Sequence, residues 1–412
     1  MAVSFTGYGS PIDRLGINSE KRPKEVLATL SMLTAQRQPL LAIISMACLG
    51  CANGMTWPLF STMLSSQNYS ELFIGLSASA QTISLLIVFP TMLPILRLFG
   101  LFGTVLLIVF VSTTVLFGMY VFDGSLWIPG RMMLGVVLGM AVVMAETWYM
   151  RTMSNQNNGL PVGIFGLLWS LSVASGPAML LILGTTTLAP FTAVALLVLC
   201  GAVVLLGSAN ETYITQADRK WSMRAVATLT PAVLLLSCIL GALDSTSDVF
   251  LPIHGIRRGL STSDSLILLV VLLTGVASAQ IPSGVLINRT GSRNVAVGAS
   301  LLSLLGSLFL YVGDAELDGM IPGVILIGMG AGSLWTAVFA WVQSEVSGDQ
   351  LTAVNSARLL MYGVGSTIGP TIVGSLSGRG GTGIYPVAIA ILAAAAICIT
   401  VYFRCRRKGI KS

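Results

Sequence analysis

Apolar runs about twenty residues long recur along the chain, near 39–64, 73–96, 102–122, 126–149, 161–184, 187–207, 227–250, 264–286, 294–312, 320–343, 352–376 and 384–403, with short polar breaks between them. An α-helix needs about 20 residues to cross roughly 30 Å of hydrocarbon, so each run predicts one membrane-spanning helix. Helices follow because lipid offers no partners to open backbone groups. The breaks are least distinct between the first and second runs and between the fifth and sixth, where polar residues or a Thr run blur the ends.

The pattern is written twice. With an offset of 191 residues, Gly50 and Gly100 fall on Gly241 and Gly291, and with an offset of 193, Ile128-Pro129-Gly130 falls on Ile321-Pro322-Gly323. Trp148 then matches Trp341, and Gly176-Pro177 matches Gly369-Pro370. The fold class is therefore an all-α membrane protein of two pseudo-symmetric six-helix halves. In so apolar a chain, two such halves imply that one rocks against the other around a site between them. The expected segments are a cytoplasmic stretch 1–38, a first half 39–207, a linker 208–226, a second half 227–403 and a basic tail 404–412.

Composition agrees with this solvent: 54% of the 412 residues are hydrophobic and 9% charged, where soluble domains carry about a quarter charged. Most of the 22 Lys and Arg residues fall in alternate breaks and at the two ends, which predicts cytoplasmic termini. The net charge of +6 is thus a topology signal and gives no reason to expect nucleic acid. Residues 1–38 lack the apolar core of a cleavable signal, and 24–36 fit either a short amphipathic helix or a tail. Cys48 and Cys51 lie one turn apart in the first span with no second ligand pair, so they are read as small packing residues. His254, the single histidine, is expected to be an ordinary loop residue at the outer end of helix 7, with a pH-sensing role as the alternative.

The break after helix 8 reads Gly284-Val-Leu-Ile-Asn288-Arg289-Thr-Gly291-Ser-Arg293. It resembles the signature loop of the major facilitator superfamily, with Asn288 in place of an acidic residue. Gly284 is expected to let two helices approach, Gly291 to allow a tight turn, and Arg289 and Arg293 to anchor the loop at helix ends. The first half keeps only Arg97 and Gly100 of this loop. Arg131-x-x-x-Gly135 in helix 4 and Gly365-x-x-x-Gly369-Pro370 in helix 11 are similar to further family motifs, the second often seen in antiporters and drug exporters. The resemblance implies that helices 1, 4, 7 and 10 line a central cavity, and that the loop residues with Gly369 and Pro370 serve conformational switching.

Charges inside a span are expensive and are functional candidates by default. Asp244 and Asp248 stand one turn apart in helix 7, and their repeat partners are Asn53 and Trp57 in helix 1. A carboxyl pair opposite an amide and an aromatic makes a rim for an organic ligand and a place for a proton. Arg131 is placed to pair with Asp244 or Asp248 across the cavity, to bind carbonyls of a neighbouring helix, or to hold an anionic substrate. Glu146, whose repeat partner is Phe339, is placed to carry a proton or to pair with Arg151, Arg97 or Arg358 as an inner gate. Glu345 and Arg358 are expected to brace the loop between helices 10 and 11.

Metal sets, a nucleophile beside a base and a phosphate loop are all missing from the sequence, so an enzyme is not expected and no cofactor is assigned. The expected partners are a small-molecule substrate, protons and membrane lipid, with a monomer in the cell membrane, most simply a bacterial inner membrane. Proton-coupled export is the first expectation. Proton-symport or facilitated uptake is the alternative, and a transport-inactive receptor or scaffold is the alternative of another class.

Overall fold

A computed structural model describes residues 21–122, 124–152, 160–208, 230–314, 316–345, 349–380 and 383–409. All regular elements in them are helical. They comprise α1 (Lys21–Ser66), a helical stretch Glu71–Val121 that is broken at Gly100 into α2 (71–99) and α3 (101–121), then α4 (Trp127–Thr152), α5 (Leu160–Leu183) and α6 (Ala189–Val204). The second half has α7 (Pro231–Arg257), α8 (Thr262–Thr290), α9 (Ser292–Val312), α10 (Leu317–Glu345), α11 (Asp349–Gly380) and α12 (Ile384–Gly409). Twelve of these stretches are long and apolar enough to cross a membrane. Most of the expected linker 208–226 lies outside the described residues, while the stretch 24–36 is the start of the unbroken α1.

Both halves use one packing scheme. α1 packs on α5 and α6 as α7 packs on α11 and α12, and α4 packs on α2–α3 as α10 packs on α8 and α9. The halves meet where α2 lies on α11, α5 on α8 and α1 on α7. Burial follows from these positions: α7 has 72% of its span inside the protein, whereas α3, on the rim, has 28%. Side chains of the rim such as Phe102, Phe110 and Phe117 point outward and stay exposed, as lipid-facing residues do.

The α2–α3 and α8–α9 connections are the shortest in the bundle, and both depend on glycine. Gly100 (φ 65°, ψ −177°) breaks Glu71–Val121, and Gly291 (φ 86°, ψ 152°) is at once the last cap of α8 and the first of α9. These dihedrals are accessible to glycine alone. No atom lies within 4 Å of where a Cβ would stand at either position, so backbone conformation and not crowding demands glycine there. At Gly284 the expected close helix approach is absent. It too has open space around it, because α8 turns that side away from its neighbours.

Candidate functional site

We call the face where α1 begins and α12 ends the terminal face, and the other the distal face. On α1, residues 51–64 are all buried except Asn53 and Trp57, which are half-buried. On α7, residues 240–255 are all buried except Asp244 and Asp248. The four exceptions are repeat partners, so each half turns one matched two-residue stripe toward the space between the halves. Proline sits close by in both helices. Lacking an N–H, Pro58 leaves the carbonyl of Gly54 without its helical donor, and Pro252 does the same to Asp248.

Asp244 accepts a hydrogen bond from the Tyr362 hydroxyl of α11 at 3.1 Å. Asp248 lies within charge range of Asp244 and of Tyr385 in α12. Tyr385 donates to Ser247 at 3.1 Å and packs at 5.5 Å on His254. His254 is therefore not a loop residue: it is 4% exposed inside the last turns of α7.

Arg131 does not join the described ion pairs. Fully buried, it donates to Gln81 Oε1 at 3.1 Å and Ser77 Oγ at 3.3 Å in α2, and stacks at 5.5 Å and 5.1 Å on the rings of Trp57 and Phe60. Gln81 in turn donates to Thr56 of α1 at 3.1 Å. The partners are side chains of the first half, so neither the pairing with Asp244 or Asp248 nor carbonyl binding is seen. The reason is proximity: α4 packs directly on α2 and α1, and the guanidinium is engaged there before it reaches α7.

A second aromatic nest lies nearer the terminal face. Trp335 and Phe339 of α10 stack in parallel at 5.7 Å, and the Arg358 guanidinium lies 5.7 Å and 5.4 Å from their centroids. Arg358 interacts electrostatically with Glu146 of α4, across the interface. Val142 and Glu146 are half-buried at the positions matching Trp335 and Phe339, giving a second matched stripe. Arg358 thus faces the interface, while the loop 346–348 that it was expected to brace lies outside the described residues. Among the other expected partners of Glu146, Arg97 is exposed, and the side chain of Arg151 lies outside the described residues.

The loop basic residues divide. Arg293 pairs with Glu345 at 2.9 Å and lies over Trp341, whose indole N–H also donates to Glu345. Asn288 and Arg289 are exposed, with no described partner, so Arg293 anchors this loop and Arg289 does not. The matching Trp148 donates instead to Gln38, at 2.9 Å.

Gly365 and Gly369 bring α11 against backbone of α7 at Cys238 and Ala242, while the carbonyl of Pro370 lies on Gly75 of α2. In the first half, Gly176 brings α5 onto the α1 backbone at Gly54. α11 is also stitched to α2 by Ser79, which donates to the Thr367 carbonyl at 2.5 Å, and by Thr367 to Thr82 at 3.1 Å. At the distal face Glu71 of α2 forms an ion pair with Arg257 of α7. Sequence reasoning missed this clasp, because both residues read as loop charges. Trp335 and Tyr362 were also missed, although Trp335 is the repeat partner of a residue on the same face as Glu146.

Twelve spans in two repeated halves, meeting along a seam with matched polar and aromatic stripes, define a multi-pass membrane protein for secondary transport of a small molecule, and not an enzyme. The chain belongs to the Major Facilitator Superfamily, whose family pattern matches residues 42–314 and again 233–412. It is 26% identical over 335 residues to the MFS-type transporter YfkF of Bacillus subtilis, covering 79% of this chain and 85% of that one. It is 25% identical over 252 residues to YcaD of Escherichia fergusonii, with 61% and 65% covered. In fold it is similar to the crystal structures of the nucleoside transporter NupG. A point mutant of NupG aligns with a TM-score of 0.70 at 15% identity over 89% of this chain and 99% of that one. The unmutated form aligns with a TM-score of 0.68 at 13% identity, over 90% and 98%.

Proposed function

We propose that the protein takes up a small organic solute by proton symport, through the space between its halves. The observation that carries this is the acid pair: Asp244 and Asp248 are the partly exposed residues of an otherwise buried stretch of α7, and neither joins a described ion pair. Two carboxylates one turn apart repel, and a bound proton relieves the repulsion. Tyr362 and Tyr385 hold this wall, which leaves Asn53, Trp57 and the aromatic wall of α10 for a solute. Proton and solute therefore have separate places and bind together, which symport needs; exchange needs them to compete for one place.

The expectation of export drew on the glycine-proline run of α11 and on the acidic, aromatic rim. The run is occupied in packing α11 against α7 and α2, so it carries no direction of its own, and an acidic rim serves a proton in either direction. The solved structures similar in fold are of a nucleoside transporter, a protein whose solute is a polar organic molecule. Both termini on the cytoplasmic side of a cell membrane, and a monomer, complete the reading. The test is flux in liposomes with an imposed pH gradient, with internal pH read at the same time. Solute and protons should enter together, and Asp244→Asn should fold normally yet lose the coupling. Full coupled transport by that variant, or proton movement opposite to the solute, would sink the reading.

A further inference from the structure

We infer that the solute is uncharged, planar and rich in N–H or O–H donors. This rests on the proton-symport reading of the same site. Among the described residues of the inner seam, the charged side chains with access to the space between the halves are acidic: Asp244, Asp248 and Glu146 are half-buried, whereas Arg131 and Arg358 are 0% and 4% exposed and lie against aromatic rings. An anionic solute would face carboxyls and reach no guanidinium. That turns against an anion-binding role for Arg131.

Charge balance selects between the remaining classes. Three carboxyls, Asp244, Asp248 and Glu146, stand with two guanidiniums, Arg131 and Arg358, in this part of the bundle. One proton on the acid pair brings the sum to zero. A neutral solute preserves that balance, while a cation leaves a surplus charge in a low-dielectric site or displaces the proton. Hydrogen bonding and shape supply the rest. Apart from the acid pair that takes the proton, the half-buried carboxyl is Glu146; ionised, it only accepts, so the solute must donate to it, and the half-buried indoles of Trp57 and Trp335, each with a guanidinium over its ring, leave room at their sides for a flat ring.

The experiment uses the purified full chain and planar heterocycles in defined charge states. Uracil, uridine and nicotinamide are the neutral donors, and 1,3-dimethyluracil is neutral without donors. Orotate and nicotinate are anions, and 1-methylnicotinamide is a cation. Binding is read from the shift in melting temperature and from quenching of tryptophan fluorescence, and coupling from internal pH in liposomes. At least one neutral donor should bind, with its anionic, cationic and donor-free counterparts weaker by about tenfold or more, the equivalent of one lost charge or hydrogen-bond match. The strongest binding by an anion or the cation, or no binding by any neutral donor, overturns the inference. A charged solute that still enters together with protons would overturn the solute class and leave symport standing. A neutral donor that crosses without protons would do the reverse.

Discussion

Replacing Arg257 with Ala removes one side of the distal clasp between the halves. The Glu71 carboxylate is 8% exposed and the Arg257 side chain 36% exposed, so the pair is neither a surface bridge nor a sealed one. Breaking a buried pair costs about 3–5 kcal/mol, and a surface pair about 0–1 kcal/mol. Glu71 also lies in the first turn of α2, where the helix dipole supports a carboxylate by roughly 0.3–1 kcal/mol after the arginine is gone. The net loss to the closed distal face is thus about 1–2 kcal/mol, or a factor of about 5–30 in the ratio of closed to open molecules. The assay is the rate at which a cysteine replacing Asn53, in a background without the native cysteines, reacts with a membrane-impermeant thiol reagent applied from the distal side. Arg257→Ala and Glu71→Gln should each raise the rate by that factor, and the reversed pair Glu71→Arg with Arg257→Glu should bring it back toward the starting value. An unchanged rate in a variant that melts normally would show that the clasp does not hold the halves together.

Two further predictions concern glycine. Gly291→Ala should lower thermal stability and slow turnover, by about 1–3 kcal/mol of backbone strain, while Gly284→Ala, with open space around it, should leave both unchanged; a melting curve and a turnover assay separate them, and equal effects would contradict the account. At Gly369 an added side chain meets the Ala242 carbonyl and the Thr246 hydroxyl at 2.8 Å, so Gly369→Val should destabilise the α7–α11 contact by roughly 1–3 kcal/mol, read as a lowered melting temperature, and a variant as stable as the parent would refute that packing.

The spans, the repeat and the conformational glycines were legible in the sequence because their causes are local or periodic. A run of twenty apolar residues meets a bilayer of fixed thickness wherever it lies, and a one-residue turn needs glycine whatever surrounds it. The repeat also singled out Asn53, Trp57, Asp244 and Asp248 as equivalent, and those are the residues left half-buried when α1 and α7 face one another. Tertiary structure alone decided who meets whom. Arg131 is engaged by Gln81 and Ser77 because α4 lies on α2, His254 is buried because α12 covers α7, and Glu71 finds Arg257 because two helix ends far apart in sequence share one face. A charge within a span must find a partner, but the chain does not encode which one at any fixed spacing. That choice belongs to the order in which the helices pack.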